Sequence, residues 1–164
     1  KFRKLGIRTN ADTPEDAQQA LDFGAEGIGL FRIEHMFYGK NSEEPLAILR
    51  KMILSGSTEE RKKWLDELHV HIKKSVKGTM KVMDKKPVTF RLIDPPLHEF
   101  VPHTEDKVAL LAKELCIDTE KLQERIDGLE EVNPMMGLRG VRLGIIYPEI
   151  TETQFRALIE AEAE

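Results

Sequence analysis

The residues best suited to chemistry fall in two short stretches of similar design. In GAEGIGLFRIEHMF, residues 24 to 37, an apolar run through Ile28, Leu30 and Phe31 gives way abruptly to Arg32, Glu34 and His35. In PVTFRLIDPPLHEF, residues 87 to 100, Val88, Phe90, Leu92 and Ile93 are interrupted by Arg91 and followed by Asp94, Pro95 and Pro96. An arginine inside a strand buried on both faces needs an anionic partner, since an unpaired buried charge costs several kcal/mol. Two strands ending near arginines therefore read as an anion site. The plain alternative, solvated charges at a strand end, fits one such stretch more easily than two.

A third stretch, NPMMGLRGVRLGIIYPE, residues 133 to 149, carries Arg139 and Arg142 in an apolar segment punctuated by Gly137, Gly140 and Gly144. Strand and helix compete there. The reading favoured is a very short strand over 135–138, then a helical turn ending before Pro148, which makes Arg139 a third arginine near a strand end. Asn10 and Asp12 add polar loop groups to the same edge. Guanidinium groups gathered without an anion repel one another, so a shared site implies an anionic occupant between them.

The elements that must position these groups follow an α/β pattern. A first strand is expected over 5–10, with Thr13 as helix N-cap, Pro14 at the first helical position, a helix over 14–22 and Gly24 as its stop. A second strand over 26–31 completes a βαβ unit, in which Gly27 and Gly29 let neighbouring backbone or a ligand approach. Helices are expected over 44–54 and 59–85. The second has a stripe of Trp64, Leu68, Ile72, Val76 and Met80 facing the core. A third strand spans 87–93. Helices over 104–115, 118 or 119 to 131, and 151 to the end complete the chain, with Val108, Leu111, Leu115, Leu122, Ile126 and Leu129 as apolar stripes. Parallel strands put ligands at their carboxyl ends, where all three arginines fall.

Several chemistries are set aside. His69 and His71, two apart on a helix, point to different faces, and HEFVPH over 98–103 is too long for a zincin motif and contains Pro102. Cys116, the single cysteine, reads as a small buried filler at a helix end. The GIG of the first stretch lacks the third glycine of a dinucleotide fingerprint, and no GxxxxGK[ST] loop occurs. With 164 residues, 40 % of them hydrophobic, and a formal charge of -4, the chain fits one soluble core. Neither nucleic acid nor membrane is an expected partner. The lone cysteine and an amino terminus without a signal-like apolar segment fit a reducing, cytoplasmic compartment.

Taken together, GAEGIGLFRIEHMF, PVTFRLIDPPLHEF and NPMMGLRGVRLGIIYPEI resemble the phosphoenolpyruvate (PEP)/pyruvate domain of the PEP-utilising enzymes, and DPPLHEF resembles the pyruvate, phosphate dikinase branch. The resemblance runs from about residue 5 to the end. It implies that residues 1–164 are the N-terminal portion of a (β/α)8 TIM-type barrel domain, a partial barrel from a much longer chain. It also implies phosphoryl transfer from a phosphohistidine to pyruvate, giving PEP, as part of the conversion of ATP, pyruvate and phosphate to AMP, PEP and diphosphate. Matched position by position, Arg32 and Arg91 correspond to the two family arginines that bind the phosphate and carboxylate of PEP. Arg139 corresponds to a further basic residue at the site. Ile33 stands where the family usually has threonine, Leu138 replaces a common histidine, and residues 70 to 86 depart from the usual sequence.

The family's Mg2+-binding carboxylates and the cysteine that protonates the enolate would lie beyond position 164. The phosphohistidine and nucleotide-binding domains would lie before position 1. The resemblance thus implies a fragment with substrate-binding arginines but no catalytic residue or metal ligand of its own, inactive alone, whose full-length enzyme is a homodimer. Competing readings are PEP synthase or an enzyme I-like relative, and a non-catalytic half barrel that binds an anion or self-associates through an open sheet edge.

Overall fold

The computed structural model describes residues 2, 4–39 and 42–164. It is mostly helical around a small parallel sheet. In chain order it contains β1 (Thr9–Asn10), α1 (Pro14–Asp22), β2 (Ile28–Arg32), a 3-10 turn (Ile33–Phe37), α2 (Glu43–Ile53) and α3 (Thr58–Met83). There follow β3 (Val88–Arg91), a second 3-10 turn (Leu97–Phe100), α4 (Glu105–Leu115), α5 (Thr119–Asp127), α6 (Gly140–Ile146) and α7 (Pro148–Ala163).

The strands lie in the order β1-β2-β3, parallel throughout. Local chemistry explains the first unit. Thr13 caps α1 by accepting a hydrogen bond from the Asp16 amide, and Pro14 occupies the first turn, where its missing N–H costs nothing. Gly24, with φ +87, turns the chain out of the helix. At the start of β2, Gly27 is hemmed in from both sides. Its carbonyl accepts from the Thr9 amide at 3.1 Å, and a Cβ on it would lie 2.6 Å from the Pro87 carbonyl oxygen. Glycine is thus required where the three strands begin.

Helix α3 is the central support. Leu65, Leu68, Ile72, Val76 and Met83 are buried along it, beside Ile28, Phe31 and Phe37 from β2 and its turn and Leu49 and Met52 from α2. Ser57 caps it through the Glu60 amide at 3.1 Å. Helix α7 packs along α3 through Ala157 and Ala161 and also reaches the sheet. The Gln154 side-chain carbonyl accepts from the Ile93 amide at 2.8 Å while its Nε2 donates to the Ile150 carbonyl at 3.1 Å. A buried glutamine so satisfies backbone just past the β3 edge, where an open donor would be costly.

Several expectations are corrected. The first strand is confined to Thr9–Asn10: the Ile7 carbonyl still accepts from the Glu26 amide at 2.8 Å, but Leu5 and Ile7 are 80 % and 47 % exposed, so no buried side chain rewards a regular ladder there. Residues 135–138 form turns and bends, not a strand. Their backbone donors are taken locally, Met136 by the Asn133 carbonyl at 3.0 Å and Leu138 by Glu131 Oε1 at 2.7 Å. Cys116 is exposed, not a buried filler. It ends α4 in the left-handed conformation, φ 54, which turns it out of the helix stripe. Helix α5 stops at Asp127, and α7 begins at Pro148, where the proline starts the helix as Pro14 does in α1.

Candidate functional site

Arg32 and Arg91 are register partners on the neighbouring strands β2 and β3. Just before them Phe31 and Phe90 pair edge to face, with centroids 5.0 Å apart; Phe31 belongs to the buried core and the half-buried Phe90 packs against it. Side chains alternate along a strand, so the next residue on each emerges on the opposite face. That alternation delivers two guanidinium groups side by side at the carboxyl end of the sheet.

Each arginine is held by a carboxylate from a different connection. Asp12, just beyond β1, accepts from the Arg32 amide at 2.8 Å and places Oδ2 3.6 Å from Arg32 Nη1. The same Oδ2 lies 2.9 Å from His35 Nδ1, and His35 Nε2 is 3.2 Å from Arg32 Nη1. Arg32, Asp12 and His35 therefore form a closed triangle. Glu34, 1 % exposed, accepts from Arg91 Nη2 through Oε1. Asp94 Oδ2 accepts from Arg139 Nη2 at 2.6 Å and lies 3.5 Å from Arg91 Nη1. Arg139 Nε also donates to the Asp94 carbonyl at 3.1 Å.

The three arginines are thus matched by Asp12, Glu34 and Asp94. Carboxylates of the chain itself therefore balance the gathered guanidinium groups. Asp94 is the hinge between two of the three, since Arg91 and Arg139 both face it. Gly140 starts α6 with φ +54, and a Cβ there would come within 3.3 Å of Asp94 Oδ1, so glycine lets the α6 backbone close over this carboxylate.

A cleft of about 440 Å³ opens beside Arg91 and Asp94 and runs between β3 and α6–α7, lined largely by Leu92, Val141, Leu143 and Ile145. A neighbouring one of about 360 Å³ holds Arg139 with Asp94 and Arg142. Arg32 lines neither and stands on the Asp12 side. The polar chemistry is at the mouth of the larger cleft, whose floor is apolar. After the first 3-10 turn, Tyr38 stacks on Phe100 with centroids 5.7 Å apart. Burial, then the charges of Glu99 and Glu34, raise its phenol pKa above the ordinary value, keeping a neutral hydroxyl there. Arg50 Nε donates to the Phe100 carbonyl at 2.7 Å and ties down the second 3-10 turn.

No group of three or more His, Cys, Asp or Glu side chains among the described residues is arranged to hold a metal ion. Asp12, Glu34 and Asp94 are each engaged by a cationic side chain. This donor set does not fit the Mg2+ that the family resemblance implies. Likewise, no helix among the described residues is long and apolar enough to cross a membrane. Glu34, His35, Asp12 and Asp94 stand out in the sequence as polar neighbours of the arginines, but the sequence does not say which arginine each holds. Those pairings join residues up to 57 positions apart.

The model of the PEP-binding domain of PEP-utilising enzymes matches residues 1–164. The chain is 50 % identical over 164 residues to a pyruvate, phosphate dikinase of Clostridium symbiosum, covering 100 % of this chain and 18 % of that protein. Its counterpart from Giardia intestinalis is 51 % identical over 161 residues, 98 % of this chain and 18 % of that one. The chloroplastic pyruvate, phosphate dikinase 1 of Oryza sativa subsp. japonica is 52 % identical over 167 residues, 98 % and 17 % respectively. The chain therefore spans less than a fifth of the length of these curated relatives.

Proposed function

Because the chain belongs to the PEP-utilising enzymes through their PEP-binding domain, we propose that it grips PEP with Arg32 and Arg91, with Arg139 lining the same site. The enzyme would be a phosphotransferase of the pyruvate, phosphate dikinase type. The observation that carries this reading is the registered pair Arg32 and Arg91 at the carboxyl end of parallel strands. Two planar forks on adjacent strands suit the phosphate and carboxylate of one small trianion, each contact bidentate and charge-assisted.

The chemistry these residues supply is positioning and charge stabilisation. In the PEP-forming direction the enolate oxygen of pyruvate attacks the phosphorus, the phosphorus–nitrogen bond to the histidine breaks, and the methyl proton of pyruvate leaves. Arginines on the phosphoryl oxygens and the carboxylate hold donor and acceptor in line and offset the charge of the transition state, which is most of what such transfer requires. This reading gives the arginines no part in moving the methyl proton. That task, and Mg2+ binding, are assigned to other parts of a longer polypeptide.

Residues 1–164 would be the first portion of a (β/α)8 barrel, a fold of about 250 residues. Three parallel strands with helices packed on them support this, as does the apolar cleft beside β3, where a further strand would lie. The remaining assignments travel with it: a phosphohistidine domain in the same polypeptide as partner, ATP as the ultimate phosphoryl source, a homodimer, and a cytoplasmic-type compartment. The names of the relatives favour the dikinase over PEP synthase or enzyme I.

Equilibrium binding of labelled PEP to the full-length protein tests the reading. Arg32→Ala and Arg91→Ala should each weaken binding by about 10- to 150-fold, the equivalent of one charge-assisted hydrogen bond of about 1.5 to 3 kcal/mol, with nucleotide affinity unchanged. Unaltered PEP affinity in both variants would refute it.

A further inference from the structure

Glu34 is the most deeply buried charged side chain at the site, and what it leaves unpaired is informative. Its Oε1 meets Arg91 Nη2, yet its Oε2 is buried with no hydrogen-bond partner, and so is Arg91 Nε. A buried carboxylate oxygen without a donor and a buried guanidinium N–H without an acceptor each carry a desolvation cost. Here the two orphans belong to the same interacting pair. A small rotation of either side chain brings Nε and Nη2 onto the two carboxylate oxygens, the side-on bidentate geometry that arginine and carboxylate prefer.

We propose that Glu34 is the positioning residue for Arg91: its buried carboxylate takes the Nε–Nη2 edge from the protein side and aims the Nη1 side of the guanidinium at the substrate anion. The inference rests on the reading that Arg91 binds PEP. That outward side already meets a carboxylate, Asp94 at 3.5 Å from Arg91 Nη1, which is held more closely by Arg139 at 2.6 Å, so a substrate anion would take the place of Asp94 on Arg91. Apart from these two carboxylates Arg91 faces solvent, with 37 % of its side chain exposed. A flexible arginine at a cleft mouth loses conformational entropy on gripping a ligand, and a fixed one has already lost it. The 3-10 turn Ile33–Phe37 gives Glu34 its rigidity, with Ile33 and Phe37 buried on either side of it. Asp12 does the corresponding service for Arg32 from solvent-accessible ground, which leaves Glu34 as the buried anchor of the pair.

The test compares Glu34→Gln, Glu34→Ala, Arg91→Ala and the double variant Glu34→Ala/Arg91→Ala in the full-length protein, assayed for phosphoryl transfer between phosphohistidine and pyruvate. Glu34→Ala should lower kcat/KM about a hundred-fold, as misplacement by about 1 Å does. Glu34→Gln keeps the shape and one acceptor but not the charge, and should lose about tenfold without loss of fold. The double variant should be no worse than Arg91→Ala alone, because Glu34 acts through that arginine. A merely structural glutamate predicts losses that multiply and a lowered melting temperature in Glu34→Gln. Multiplying losses, or wild-type transfer in Glu34→Gln while Arg91→Ala is dead, overturn the proposal. Wild-type transfer in Arg91→Ala would instead overturn the reading of Arg91 itself.

Discussion

Arg32 and Arg91 sit directly opposite each other across the parallel pair β2–β3, one strand spacing apart, with Asp12 behind the first and Glu34 behind the second. Each cation is thus held from within the protein, and in the proposed binding mode turns its remaining donors to the substrate. The arrangement needs planar, fork-shaped cations, because one edge must be tied down while another stays free. Lysine has a point charge that cannot do both. Arg91→Lys should therefore recover only part of the PEP affinity lost in Arg91→Ala, remaining several-fold weaker than wild type in the same equilibrium binding experiment. Full recovery by lysine would mean that charge alone is being used.

The sheet that carries the pair depends on Gly27. An α-hydrogen of Gly27 faces the Pro87 carbonyl oxygen so closely that a Cβ in its place would lie at 2.6 Å, and that oxygen is already fixed in the backbone by accepting from the Ile28 amide at 2.9 Å. Gly27→Ala must push β2 away from β3 and should destabilise the protein by about 1 to 3 kcal/mol, as overpacking does. Chemical denaturation measures this directly. Gly24→Ala should also destabilise, but through its positive φ and without disturbing the strand pair.

How much of this was legible in the sequence follows from what each feature depends on. Runs such as Val88, Phe90 and Ile28, Phe31 announce buried strands, and the arginines that end them stand out because charge is costly there. Thr13 with Pro14 announces a helix start. Residues 135–138 misled because an apolar run alone cannot say whether a partner strand accepts its backbone donors, and here Asn133 and Glu131 take them first. The early start of α7 was readable in principle, since Pro148 stands in the same role as Pro14. The pairing of Glu34 with Arg91 and of Asp94 with Arg139 was not readable. It depends on which loops meet above the sheet, not on any local pattern.

Helices α3 and α7 meet at a charged seam whose pH response has a definite sign. His69 Nε2 lies 3.2 Å from Glu160 Oε2, with Lys73, Arg156 and Asp66 also near. Burial dominates, and the imidazole pKa falls below its ordinary value. The folded state therefore prefers neutral His69. Its contribution is fully present above the unfolded pKa of about 6.5 and is lost as pH falls below that value, because the unfolded chain then binds the proton more readily. The melting temperature should drop between pH 7.5 and 5.5, and His69→Gln should show a smaller drop. An equal or steeper acid loss in the variant would contradict the assignment.

The central claim is that the arginines at the strand ends serve the PEP side of the reaction and nothing else. The most direct measurement separates the two half-reactions in the full-length protein: ATP- and phosphate-dependent phosphorylation of the histidine, and phosphoryl transfer between that histidine and pyruvate. Arg32→Ala and Arg91→Ala should each slow the transfer step by at least about tenfold, the loss of one charge-assisted hydrogen bond, and leave histidine phosphorylation at the wild-type rate. Wild-type transfer in both variants, or a failure confined to the nucleotide step, would contradict the account.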